Sequence, residues 1–102
     1  MKLEKEIIQW AEDREIFKKA TPITQHNKTV EEVLELRDAI IQMAENGHPS
    51  KGIVDGIGDT IVTLVILCKM YEIKIDDCVA HAYNEIKDRK GQMIDGQFVK
   101  GE

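Results

Sequence analysis

Four carboxylates fall where helical periodicity turns a surface inward. Residues three or four apart share one face of a helix. Glu32 and Glu35 therefore head a line continued by Leu36, Ala39 and Met43, and Asp55 and Asp59 head one continued by Val62 and Ile66. Each line is acidic at its N-terminal end and apolar after it. Carboxylates facing one another in a half-buried bundle repel, and both desolvation and like charge disfavour their ionised forms. A divalent cation resolves the conflict. Oxygen-only ligands suit magnesium, with manganese as a substitute, rather than zinc, and magnesium takes substrate phosphates as further ligands. The chemistry such a cluster serves is phosphate-ester chemistry. A plainer reading uses the same residues. Thr29-Val30-Glu31-Glu32 spells a capping box, and Asp55 and Asp59 near a helix start favour the helix dipole. Spacing alone leaves both readings open.

Other chemistries find less support. His26, His48 and His81 have no metal-ligand spacing, Ser50 is the lone serine, and Gly56-Ile57-Gly58 lies inside a helical pattern with no phosphate-loop signature. A net charge of −5 argues against a nucleic acid polymer held on a broad basic surface and against an anionic membrane face. Cys68 and Cys78 lack CxxC spacing and read as reduced packing residues, which fits a cytoplasmic protein. Charges interrupt the N-terminal stretch too often for a signal peptide, and the apolar run Ile61 to Cys68 is too short to span a bilayer.

The elements that must position these groups read as four helices in one domain, with a helical body over 1–91 and a tail over 92–102. The first runs from Lys2 to Lys19, carried by Leu3, Ile7, Trp10, Ala11 and Phe17. The second covers at least Val30 to Glu45 and stops at Asn46-Gly47; Thr21-Pro22 either punctuates the chain or opens this helix as N-cap and first residue. Gly47 to Gly52 is a polar loop with Pro49 and Ser50. The third runs from Ile53 to Tyr71, apolar nearly all round from Ile61 to Leu67, so it belongs at the centre of the bundle; its β-branched run Ile61 to Ile66 also fits a buried strand. Asp76 is the expected N-cap of a fourth helix ending near Lys90-Gly91, with Val79, Ala82 and Ile86 on its buried face. The expected fold is an all-α antiparallel four-helix bundle. One chain cannot easily cover the third helix, so oligomerisation is expected to complete it.

Lys28-Thr29-Val30-Glu31-Glu32-Val33-Leu34-Glu35-Leu36 resembles the EExxE segment of MazG-like nucleotide pyrophosphohydrolases. Gly58-Asp59 before an apolar helix resembles their ExxD motif, and Asn84 to Lys90 their basic segment. The resemblance spans Trp10 to Arg89. It implies the all-α NTP pyrophosphatase fold, a homodimer or homotetramer, and magnesium-dependent hydrolysis of a nucleoside triphosphate to a monophosphate and pyrophosphate. It implies Glu32, Glu35 and Asp59 as metal ligands. The acid expected at position 56 is replaced by Gly56, and Asp55 is the nearest substitute. Glu31 would hold a further metal or orient water, and Glu31 and Glu35 are both eligible as general base. Lys87 with Asn84 would contact phosphate or ribose, and Lys28 and Arg89 phosphate. Trp10 would stack on a base across a subunit interface or simply pack. Gly56 keeps alive a second function, nucleotide or metal binding without turnover, and a helical adaptor is a third.

Overall fold

A break after Asp13 divides the first expected helix in two. The computed structural model describes residues 1–46 and 51–101. Among these, α1 is Glu4–Asp13 and α2 the single turn Ile16–Lys19. Between them Arg14 and Glu15 close the last turn of α1 through N–H donation to the Ala11 and Glu12 carbonyls at 3.2 and 3.0 Å. Glu15 then takes a left-handed conformation with φ 61°. That conformation costs a non-glycine residue about 1 kcal/mol, and no glycine or asparagine marks the site in the sequence.

Helix α3 spans Pro22–Asn46, so Thr21-Pro22 opens it. The Thr24 N–H donates to Thr21 Oγ1 at 3.3 Å while the Thr21 N–H donates to Thr24 Oγ1 at 2.9 Å. This reciprocal pair is a capping box, with Pro22 at the first helical position, where its missing N–H costs nothing. Thr29 consequently lies two turns inside the helix, and the reading of Glu32 as a cap is overturned. Helix α4 is Lys51–Met70, which also removes the strand alternative for Ile61 to Ile66. Asp59 sits beyond its first turn, out of reach of a strong dipole effect. The readings of Gly47, His48, Pro49 and Ser50 lie outside the described residues.

Helices α3 and α4 pack antiparallel, and their register is set by small and hydroxylated residues. Thr29 Oγ1 donates to Thr63 Oγ1 at 2.9 Å, and Thr63 Oγ1 donates in turn to the Thr60 carbonyl at 2.6 Å. Buried Gln25 donates from Nε2 to the Thr63 carbonyl at 3.1 Å. One end of the contact is Gly56, buried where a Cβ would stand 3.0 Å from Leu36 Cβ and 3.1 Å from Leu36 Cα. A side chain at position 56 would therefore crowd Leu36, and the two helices would have to move apart by a few tenths of an ångström to admit one. We expect Gly56→Glu to lower stability by about 2–3 kcal/mol through overpacking and burial of charge, read in a urea melt. Unchanged stability would show that the two helices separate freely at this point.

Helix α5, Ile75–Ile86, and a hairpin of β1, Gly91–Ile94, and β2, Gln97–Lys100, complete the chain. Lys74, not Asp76, occupies the N-cap position of α5, with extended backbone and no side-chain cap. Asp76 falls instead in the first turn, where it pairs with the amino terminus of Met1. The helix ends four residues earlier than expected, and the expected tail is a two-stranded antiparallel sheet. The fold is thus mostly helical, in keeping with the expected all-α class, with this small hairpin added. Its strands pair Gly91 with Lys100 through Ile94 with Gln97. Asp95 and Gly96 have φ of 51° and 80°, the pairing of a two-residue hairpin turn whose twist matches its strands.

The packed part is α1, α3 and α4, with α4 against both others. Among the described residues the apolar core is Ala11, Val65 and Ile66. The face of α5 expected to be buried is open instead, with Val79 and Ile86 60% and 51% exposed. Val30, Val33, Leu34 and Ile41 on α3 are exposed as well, as are Val54, Ile57 and Ile61 on α4. The chain exposes 8116 Å² and has a radius of gyration of 16.3 Å. A folded monomer of this mass exposes about 5,800 Å², and one of this length has a radius near 13 Å.

Candidate active site

The antiparallel contact of α3 and α4 brings Glu32 opposite Asp59. Both line a cavity of about 250 Å³ with Lys28, Gln25 and Thr63, and Trp10 and Ile16 close it from α1 and α2. Asp59, Trp10 and Val62 also border a second, mostly apolar cavity that reaches Leu3 and Ile7. Asp59 therefore stands at the junction of the two. Trp10 is pinned by Arg14, whose guanidinium lies 4.3 Å from the ring centroid, a cation–π contact that leaves the rest of the indole to the cavity wall.

The electrostatics centre on Glu32. The residue is 9% exposed, and its Oε2 is buried with no hydrogen-bond partner. Its other oxygen, Oε1, lies 3.5 Å from Lys28 Nζ, which also reaches Glu31 Oε1 at 3.2 Å. Hydrogen bonding to Glu31, helped by the charge of Glu32, pushes the Lys28 pKa up. Glu35, one turn on, has its pKa raised, chiefly by the charge of Glu32. A carboxylate whose folded pKa is raised favours folding as pH falls through that pKa and opposes it above. At neutral pH the Glu32–Glu35 pair is therefore a local strain that acid or a cation would relieve. An orphaned buried carboxylate oxygen costs roughly 1–3 kcal/mol or more.

This geometry fits a cation in part. Two adjacent carboxylates with an unsatisfied buried oxygen are suited to a hard ion, and a third acid faces them across the cavity. Among the described residues, however, no three acid, histidine or cysteine side chains gather closely enough within one chain to hold a metal. Asp55 does not line the cavity; it lies one turn from Asp59 on the same face of α4. Glu31 and Glu35 are exposed beside Glu32. Asn84 on α5, and Lys87 and Arg89 just beyond it, contribute nothing to the cavity wall, and Arg89 borders a separate open hollow with Lys90 and Lys100. Of the expected residues, the chain brings together Glu32, Asp59, Lys28 and Trp10, keeps Glu31 and Glu35 alongside, and leaves Asp55, Asn84, Lys87 and Arg89 apart.

Gln25 and Thr63 belong to the site without having been expected. With Nε2 engaged by the Thr63 carbonyl, the Gln25 amide still has its oxygen and a second N–H for a ligand. The signal was its place in the row Gln25, Lys28, Glu32, Glu35, which continues the acidic line once α3 starts at Pro22.

Glu32→Met should leave the chain as stable as before, or up to about 2 kcal/mol more stable, without added metal, because it removes a buried carboxylate that has one oxygen unpartnered and the other only weakly paired with Lys28, while keeping the volume. It should also abolish any rise in melting temperature on adding magnesium. A clear loss of stability in chelator would make Glu32 a structural residue.

No protein-family model matches the chain, and no curated protein or solved structure matches it either. No helix among the described residues is long and apolar enough to cross a membrane.

Proposed function

We propose that the chain is a magnesium-dependent nucleoside triphosphate pyrophosphohydrolase of the MazG-like kind, acting as a cytoplasmic homodimer or homotetramer. The observation that carries this reading is the buried, unpartnered Oε2 of Glu32 beside Glu35, in a cavity walled on its other side by Asp59. Glu32 and Glu35 would hold the ion, with Asp59, and Asp55 one turn away, as further ligands. Bound there, magnesium or manganese would neutralise the triphosphate and activate water toward the α-phosphorus.

The remaining work falls to side chains. Lys28, half exposed and shared between two glutamates, can turn its ammonium to a phosphate oxygen. Glu31 and Glu35 are exposed beside Glu32, and either would take the proton of the attacking water. Trp10 offers an aromatic face to a base, and Gln25 an acceptor and a donor to its edge. Asn84, Lys87 and Arg89 would reach the phosphates or ribose from a second copy, because their own α5 carries them away from the cavity. The exposed faces of α3, α4 and α5 support this assembly. The excess over a compact monomer, about 2,300 Å² per chain, is of the size an obligate dimer buries.

The test is the purified full chain with a panel of ordinary and modified nucleoside triphosphates, with magnesium or with chelator, and product identification. Equal amounts of monophosphate and pyrophosphate, only with metal, would support the reading. A second reading, a regulatory protein that binds nucleotide or metal without turnover, is favoured by the lack of a three-ligand group within one chain among the described residues. Tight metal-dependent nucleotide binding without products would favour it. No response to metal or nucleotide in melting or activity would leave a helical adaptor.

A further inference from the structure

Outside the acidic cavity, the chain's two cysteines meet across a junction that holds little else. Cys68 lies in the last turn of α4 and Cys78 in the first turn of α5, and their Sγ atoms are 3.9 Å apart. The connector between them is tight. The Ile73 N–H donates back to the Cys68 carbonyl at 2.9 Å, and Glu72 takes a left-handed φ of 54°. The two helix ends are thus held face to face by backbone, while no residue of α5 is buried. At this end α5 is secured by the Ile75 N–H to Glu4 carboxylate bond at 3.3 Å and by the Asp76 pair with the amino terminus. Both thiols are free, Cys68 half-buried and Cys78 exposed.

We propose that Cys68 and Cys78 form a reversible intrachain disulfide that latches α5 onto α4. Closing from 3.9 Å to the roughly 2.05 Å of a disulfide requires side-chain rotation and a small shift of a helix end that is tied by the Ile75–Glu4 bond and the Asp76 pair but has no buried residue to displace. The oxidant is a low-molecular-weight disulfide such as oxidised glutathione. The exposed Cys78 thiolate attacks one of its sulfurs, forming a mixed disulfide and expelling one small thiolate. The Cys68 thiolate then attacks Cys78 Sγ, forming the internal bond and expelling the second. The two cysteine protons end on the two released small thiols. The cysteines are oxidised by two electrons and the glutathione disulfide is reduced by two. The order follows from the surroundings: burial, then the Cys78 thiol beside it, with Glu4 adding its charge, push the Cys68 thiol up to about 11, so it is the slower nucleophile and the resolving one.

The experiment treats the full chain with oxidised or reduced glutathione, then counts free thiols by alkylation and records the intact mass. With the oxidised form both thiols should disappear, the mass should fall by two hydrogens with no glutathione retained, and a non-reducing gel should show a single chain. The melting temperature should rise by roughly 5–15 °C, the size expected for closing a short loop in a domain of this length, and dithiothreitol should reverse it. Cys68→Ala should stop at glutathione bound to Cys78, and Cys78→Ala should remain largely unmodified. Circular dichroism of the reduced variants checks that they fold. A lasting glutathione adduct on the unaltered chain, covalent dimers, or two thiols that survive oxidation would each overturn the proposal. None of these readouts depends on hydrolase activity, so the latch and the proposed function stand or fall separately.

Discussion

Asp59→Asn should cut metal-dependent triphosphate hydrolysis by about a hundredfold or more while leaving the fold in place. Loss of a ligand or charge-stabilising group at a reacting centre has effects of that order. The substitution conserves size. Asp59 is exposed on the middle of α4 and makes no hydrogen bond or ion pair among the described residues, so stability should move by no more than about 0.5 kcal/mol. It is the acid that faces Glu32 across the cavity and joins that cavity to its apolar neighbour. Asp55→Asn, which alters a residue outside the cavity wall, should cost less. The measurements are pyrophosphate release and a thermal melt on each variant. Near-normal turnover in Asp59→Asn would take Asp59 out of the site, and with it the opposition of acids on which the hydrolase reading depends.

Leu34→Asp should dissociate the proposed homo-oligomer. Leu34 is 51% exposed on α3, in line with Val30 and Ile41. In an isolated chain, charge at such a position changes stability by only a few tenths of a kcal/mol. Where a second copy covers the face, a buried unpaired carboxylate costs several kcal/mol. Light scattering after gel filtration should show a fall to monomer mass, and the melting temperature should drop by roughly 10 °C or more. An unchanged mass and melt would mean this face is not where copies meet. Loss of activity in the monomer with Glu32 and Asp59 intact would fit phosphate contacts supplied by another subunit's α5.

The sequence made most helices legible, and the exceptions have local causes. Periodicity placed α4 within two residues at its start and one at its end. Thr21-Pro22 holds the true start of α3, but the apolar line becomes regular only at Val30, so nothing in the periodicity commits the first two turns, or Gln25 within them, to the helix. The break at Glu15 has no sequence mark, because a glutamate was forced into a conformation that glycine usually adopts. The hairpin did have one: Asp95-Gly96 between Met93-Ile94 and Phe98-Val99 is a strong turn signal, masked by its place at the end of a helical chain. In the site, the opposition of Glu32 and Asp59 followed from helix geometry. The role of position 56 did not, since only the approach of Leu36 shows that a side chain would be crowded there. The apolar face of α5, Val79, Ala82 and Ile86, reads as buried in the sequence, yet the chain itself leaves it open, because apolar periodicity marks a face without supplying what packs on it.

The α3–α4 pair and the terminal hairpin each join neighbours in sequence, so little chain must be threaded or looped to make them. Folding speed falls as the chain distance between partners grows, and these units should form within microseconds to milliseconds of one another. If a second copy covers the remaining apolar faces, as proposed, it must arrive by diffusion, and the lifetime of the folded but sticky single chain would then be set by how many copies the cell holds.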